Sequence, residues 1–122
     1  MSMRSAAVDQ LTAALPNTWT VIDDERSLNA ITRPTMLVSV RSFVPSDFAP
    51  LSKITVTMAL MILSPHTDAR AAEDDLDVLL VEALTGINLL QNLTWTEASK
   101  VVHLDRYMGY EITTQATAEL GD

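Results

Sequence analysis

Residues 52–63 read Ser-Lys-Ile-Thr-Val-Thr-Met-Ala-Leu-Met-Ile-Leu, and this stretch decides the fold. Alternate positions from Ile54 to Ile62 are all apolar, and consecutive side chains of a β-strand point to opposite faces. The positions between them are polar up to Thr57 and apolar from Ala59 onwards. The pattern therefore predicts a strand whose N-terminal end has one face in solvent and whose C-terminal end is covered on both faces.

The segment before this strand is also rich in residues that favour β structure. Apolar side chains alternate from Met36 to Val40, and this period indicates a second strand over residues 35–44. Pro45 and Pro50 mark the loop between the two strands. We expect a long antiparallel hairpin that projects beyond the domain.

Three apolar side chains in or beside this loop are candidate contact residues. Phe43 and Phe48 flank Pro45, and Leu51 follows the loop. Two interpretations are open for the aromatic residues: they pack back on their own domain, or they dock on a partner. We assign Phe43, Phe48 and Leu51 to a predicted protein–protein interface.

Residues 69–85 have the pattern of an amphipathic helix. Apolar positions recur at intervals of three and four residues, with acidic residues mostly elsewhere on the helical wheel. Thr67 or Asp68 is the expected N-cap, and Gly86 is expected to end or loosen the helix. We expect this helix to be the main cover of the sheet.

The rest of the chain completes a predicted α+β fold. The remaining predicted elements are a helix over residues 4–15 and strands over residues 19–22, at Trp95 with residues 100–105, and over residues 110–116. A turn is predicted at residues 106–109. The order αβββαββ predicts an antiparallel or mixed sheet of four to five strands with two helices packed on one face. Residues 1–122 are predicted to form a single domain.

Charge and composition exclude several functions. Sixteen Asp and Glu against eight Lys and Arg give a net charge of −8, and the basic residues are scattered singly, so no basic patch is available for nucleic-acid phosphates. The chain has no cysteine, which excludes disulfides, thiolate nucleophiles and sulfur-ligated zinc. The longest strongly apolar run, residues 58–63, is far shorter than the ~20 residues that span a bilayer. We expect no membrane partner and a protein that is intracellular or part of a particle assembled inside a cell.

The acidic run at residues 73–77 is the strongest candidate for a chemical site. Carboxylates at this density suit magnesium or calcium, but neighbouring helical positions diverge by about 100°, which favours a solvated helix start. A second interpretation pairs Asp75 or Asp77 with an arginine of a neighbouring subunit, and we include both in the predicted interface. His66 and His103 have no partner at metal-ligand spacing. We therefore assign no catalytic, cofactor-binding or metal-binding residue and predict that the protein is not an enzyme.

Several short motifs follow one another in a fixed order along the chain. The most specific stretch runs from Ser64-Pro65-His66-Thr67-Asp68 to Glu73-Asp74-Asp75-Leu76-Asp77. The accompanying motifs are Leu15-Pro16, Arg33-Pro34-Thr35, Leu93-Thr94-Trp95-Thr96 and Tyr107-Met108-Gly109-Tyr110-Glu111-Ile112. In order and spacing, over residues 6–118, the chain resembles the tail terminator proteins of long-tailed bacteriophages, particularly those of actinobacterial phages.

The resemblance implies a small α/β subunit that forms a hexameric ring at the head-proximal end of the tail tube. Such a ring stops tube polymerisation and joins the tail to the head, so the implied partners are further copies of the chain, the tail tube protein and the head–tail connector or stopper protein. DNA is implied to pass through the ring without specific binding, which acidic side chains in the lumen would favour through repulsion. The implied location is the virion, after assembly in the host cytoplasm.

Two other functions fit parts of the sequence. Another neck protein of the same particle, a head–tail connector or stopper, would share the size and the ring formation. A small metal-dependent hydrolase or ligand-binding domain would use the acidic run at residues 73–77. The position of the protein in the virion distinguishes the first alternative, and a metal-dependent thermal shift distinguishes the second.

Overall fold

The computed structural model describes residues 3–23, 31–45, 53–90, 93–103 and 107–119. Its elements in chain order are α1 (Met3–Ala14), β1 (Thr20–Ile22), β2 (Thr35–Pro45), β3 (Lys53–Leu63), α2 (Ala69–Asn88), β4 (Leu93–His103) and β5 (Tyr107–Glu119). This order confirms the predicted α+β fold.

The described strands form one mixed sheet in the order β1-β2-β3-β5-β4. β1 runs parallel to β2, and every other neighbouring pair is antiparallel. β3 lies in the middle of the sheet and has a hydrogen-bonded strand on each side. Its last residue, Leu63, is fully buried, whereas its first residue, Lys53, is only half-buried. This gradient of burial agrees with the strand predicted from residues 52–63.

The β2–β3 hairpin does not project from the domain as a two-stranded arm. β5 accompanies β3 to its outer end, where Lys53 lies opposite Glu119. β5 can do this because it spans 13 residues, more than the predicted strand over residues 110–116. The expected projection of the hairpin is therefore wrong. The outer part of β2 is one of the open edges of the described sheet, together with β1 and β4.

Both helices pack on the same face of the sheet, as predicted. The core between these layers combines Leu11 and Leu15 of α1, Met36 and Val38 of β2, Leu60 and Ile62 of β3, Leu76, Leu79 and Ile87 of α2, and Ile112 of β5. Fully burying one such side chain contributes about 1.5–3 kcal/mol. This layer is therefore the main source of stability, and α2 supplies the largest helical part of it.

The opposite face of the sheet is apolar at one end. Ile31, Leu37, Leu63 and Tyr107 form a second buried cluster there. The hydroxyl oxygen of Tyr107 accepts a hydrogen bond from the backbone N–H of Ile31 at 3.4 Å. This contact fixes the residues before β2 over the end of the sheet where β2 and β5 begin and β3 ends.

Two predicted boundaries at glycines are wrong. α2 continues through Gly86 to Asn88, and residues 107–109 belong to β5 where a turn was predicted. Gly109 is required inside the strand because an added Cβ would collide with the backbone oxygen of Ile62. Gly109 therefore reflects the close approach of two strands and not the turn that was predicted at residues 106–109.

Candidate assembly surface

The predicted interface residues that the structure describes do not lie together. Phe43 is in the outer part of β2 and is 57% exposed. Asp75 and Asp77 are on α2. Phe48 and Leu51 lie outside the described residues. The candidates therefore belong to two separate surfaces, one on a strand edge and one on a helix.

The outer part of β2, Arg41–Pro45, is called the edge segment below. β1 is only three residues long and pairs with Thr35–Leu37 alone, so within the described ranges no strand pairs with the outer side of the edge segment. All five of its residues are exposed. Such a strand edge presents backbone N–H and C=O groups that another chain can bind.

A β-bulge sets the direction of the side chains in the edge segment. The register shifts between Val40 and Ser42. Phe43 consequently lies opposite Val56, which belongs to the core beneath the helices. Val44 follows on the other face and is also exposed. Two consecutive large apolar side chains are thus presented to solvent on opposite sides of one strand.

Arg41 gives the edge segment a positive charge. Its Nη2 atom lies 3.3 Å from Oε2 of Glu111, and the arginine side chain remains more than half exposed. Exposed ion pairs contribute only ~0–1 kcal/mol to stability. Arg41 can therefore exchange or share this partner with a second acidic group at little cost to the fold.

Asp75 holds the connection between β3 and α2. The Ser64 hydroxyl donates a hydrogen bond to Oδ2 of Asp75 at 2.8 Å, and the His66 backbone N–H donates to Oγ of Ser64 at 3.2 Å. The helix itself begins after Asp68, whose carboxylate accepts a hydrogen bond from the Ala71 N–H at 3.0 Å. Asp68 is therefore the N-cap, and Asp75 has a structural role within its own subunit.

Glu73 and Asp77 lie on the flank of α2 that faces β4. Nζ of Lys100 donates a hydrogen bond to Oε1 of Glu73 at 2.6 Å. This hydrogen bond is the main cause of a raised Lys100 pKa. Desolvation opposes it, and Coulombic interactions with Glu73 and Asp77 act in the same direction as the hydrogen bond. Asp75 and Asp77 thus point to different flanks. In the part of the chain that the structure describes, no three His, Cys, Asp or Glu residues are placed to hold a metal ion.

A groove of about 430 Å³ lies between the end of α1 and the second half of α2, and we call it the helix groove. Its lining is mostly apolar and consists of Ala14, Leu15, Pro16, Val81, Glu82, Thr85 and Gly86. Gly86 lets the helices approach closely, because an added Cβ would lie 2.9 Å from Cδ2 of Leu15. Glu82 is held in the wall of the groove, since its Oε1 accepts a hydrogen bond from Nε1 of Trp19 at 2.9 Å.

Exposed apolar side chains continue from this groove along the outer side of α2. Val78, Val81 and Leu89 are each more than half exposed. The helical periodicity of the sequence did not indicate them, because it marks only the buried stripe of the helix. Two valines three residues apart among the acidic positions were the available signal. The groove itself had no signal in the sequence, since its two walls are about 70 residues apart along the chain.

Among the described residues, neither helix combines the length and the apolar character needed to cross a membrane. No protein-family model and no curated protein matches the chain. The edge segment and the helix groove therefore have to be interpreted from their own geometry.

Proposed function

We propose that this chain is a structural protein of a long-tailed phage virion, the tail terminator that forms a ring at the head-proximal end of the tail tube. The motif order over residues 6–118 supports the proposal. The ring stops tube polymerisation and joins the tail to the head–tail connector or stopper. In this role the protein is not an enzyme and uses no cofactor.

The observation that carries the proposal is that exposed apolar side chains lie on at least two unlike surfaces of the chain. Phe43 and Val44 are on the edge segment, whereas Val78 and Val81 are on the outer side of α2. Contact between two unlike surfaces is heterologous, and heterologous contacts close into rings when the rotation per subunit fits. A ring subunit needs such a pair of surfaces.

The acidic charge suits a ring through which DNA passes. Each chain carries a net charge of −8, and a ring multiplies this charge around one channel. Like charges repel the DNA phosphates. The ring in this proposal therefore lets DNA slide through without specific binding.

The test is assembly in solution followed by tube capping. Six copies of the 13.4-kDa chain should give particles of about 80 kDa in native mass spectrometry, with ring-shaped images in negative stain. Added during growth of tubes from the same phage's tube protein, the rings should sit at one tube end and shorten the mean tube length as their concentration rises. An acidic protein of similar mass serves as the control.

The proposed function is contradicted if the rings leave tube growth unchanged and bind no tube end. Rings that bind the connector but not the tube would point to a different neck protein. A chain that stays monomeric with and without tubes contradicts ring formation altogether.

A further inference from the structure

We infer that the edge segment of one copy docks in the helix groove of the next copy, with Phe43 as the anchor. This inference rests on the proposed function, because it names the contact that joins neighbouring subunits of the ring. It brings together the two surfaces that the structure separates within one chain.

Phe43 does not fill the groove of its own subunit. Its side chain is 57% exposed, and the groove is lined by the end of α1 and the second half of α2, with no described residue of β2 among the lining. The occupant of the groove in this inference is therefore the Phe43 side chain of a second molecule.

Size and polarity match between the two surfaces. In the described part of the chain Phe43 is the most exposed aromatic side chain, and covering an aromatic ring removes roughly 150–250 Å² from water. The helix groove has about 430 Å³ of space and a mostly apolar lining. It can hold the ring of Phe43, while Val44 and the exposed Val81 extend the contact beyond the groove.

The elements that carry the two surfaces have opposite charges. α2 carries five acidic residues and one basic residue, which gives a net charge of −4: Glu73, Asp74, Asp75, Asp77 and Glu82 against Arg70. β2 and β3 together carry two basic residues, Arg41 and Lys53, and no acidic residue. Opposite potentials speed the encounter of two surfaces and fix their register.

The exposed acids of α2 are the expected partners of Arg41 in this contact. Asp75 is engaged with Ser64, and Glu73 with Lys100. Asp74 and Asp77 are exposed. The contact therefore places the outer acids of α2 at the boundary between subunits. Asp74 is on the same side of the helix as Val78 and Val81, which makes it the nearer partner for Arg41, whereas Asp77 lies toward β4.

The absence of cysteine allows a direct test by cross-linking. Two single-cysteine variants, Val44→Cys and Val81→Cys, both keep the Phe43 anchor; they are mixed, allowed to exchange subunits and treated with a short bismaleimide. We expect a covalent 44–81 dimer as the main product, identified by mass spectrometry of its peptides. The matched control replaces Val81→Cys with Val102→Cys, because Val102 on β4 is about as exposed as Val81. The control mixture should give at most a small fraction of that product.

A second variant tests the anchor without a new reactive group. Phe43→Ser should weaken self-association at least tenfold, since buried aromatic anchors dominate interface energies. Raising the salt concentration should weaken the association of the unchanged chain further, because the charges at the contact are screened.

The outcomes separate this contact from the proposed function. Rings that cross-link at 44–81 support the contact even if they fail to cap tail tubes, in which case only the proposed function is lost. Rings that link 44–102 as readily as 44–81, or that tolerate Phe43→Ser, overturn the contact alone. A chain that remains monomeric and forms no 44–81 product overturns both.

Discussion

The two halves of β2 have the same backbone conformation and opposite environments. Thr35–Val38 is buried, whereas Arg41–Pro45 is exposed. The first half has β1 on one side, β3 on the other and helices above. The second half is paired with β3 only. Strand propensity alone therefore does not say what a strand does, because both halves contain residues that favour β structure.

The comparison separates stability from assembly. Apolar side chains of the covered half contribute to folding, since they leave water when the single chain folds. Apolar side chains of the edge segment gain little from folding, and they are available for contact with another molecule. Substitutions in the two halves should consequently affect different measurements.

The largest effect is expected for Met36→Ala in the covered half. Met36 is fully buried in the core, and truncating a buried methionine to alanine removes apolar contacts and leaves a cavity. The free energy of unfolding should fall by about 3 kcal/mol. Urea denaturation followed by circular dichroism measures the change, with Met36→Leu as a nearly volume-conserving control. A loss as small as that of the control would place Met36 outside the core.

A somewhat smaller loss is expected for Gly109→Ala, next to the covered half. The added methyl group would meet the backbone oxygen of Ile62, so β5 and β3 would have to separate. Overpacking of this kind should cost about 2–3 kcal/mol. Gly86→Ala is the matched control, because its methyl group meets only the flexible end of Leu15. If both variants lost the same free energy of unfolding, the close strand contact at Gly109 would not explain the loss.

Phe43→Ala in the edge segment should change the free energy of unfolding by no more than about 0.5 kcal/mol, since the side chain is mostly exposed. Its effect should appear in self-association, measured by analytical ultracentrifugation of the same samples. If Phe43→Ala destabilised the monomer as strongly as Met36→Ala, the contrast between the halves of β2 would be lost.

The sequence was sufficient for the elements and their order because the periodicities are local. β3 shows a period of two, and α2 shows intervals of three and four. It was insufficient at Gly86 and Gly109, where glycine serves close packing between elements that are distant in sequence. The projecting hairpin was wrong for a related reason, since the length of β5 beside β3 depends on pairing across the sheet.

The candidate surfaces were predictable only in part. Phe43 drew attention because an aromatic residue beside a proline-containing loop is an unusual local feature. Its side chain is exposed, and its place in an interface stays a prediction. The role of Asp75 was not identified, because its hydrogen bond with Ser64 joins a helix to the end of a strand. The helix groove was not identified either, since it exists only after α1 and α2 have packed. Local patterns predict which residues are exposed, and tertiary packing decides what shape they form.

The smallest effect is expected at the exposed ion pair between Lys100 and Glu73, which belongs to neither half of β2. The hydrogen bond with Glu73 raises the pKa of Lys100 above its ordinary value of 10.5, so the folded state favours the charged ammonium group. The resulting stabilisation is fully present below pH 10.5 and is lost as the pH rises through the raised pKa. The stability difference between the unchanged chain and Lys100→Gln should therefore shrink in that alkaline range.

Glu73→Gln isolates this pair, because it removes the carboxylate that accepts the Lys100 hydrogen bond. In the Glu73→Gln background, Lys100→Gln should lose most of its pH-dependent effect, which a double-mutant cycle in urea midpoints measures at neutral and alkaline pH. Salt should reduce the effect at neutral pH, since both side chains are in solvent. Lys100→Gln should lower the free energy of unfolding much less than Met36→Ala does. If the two losses were similar, charge and not apolar burial would distinguish the stable part of the molecule from the edge segment.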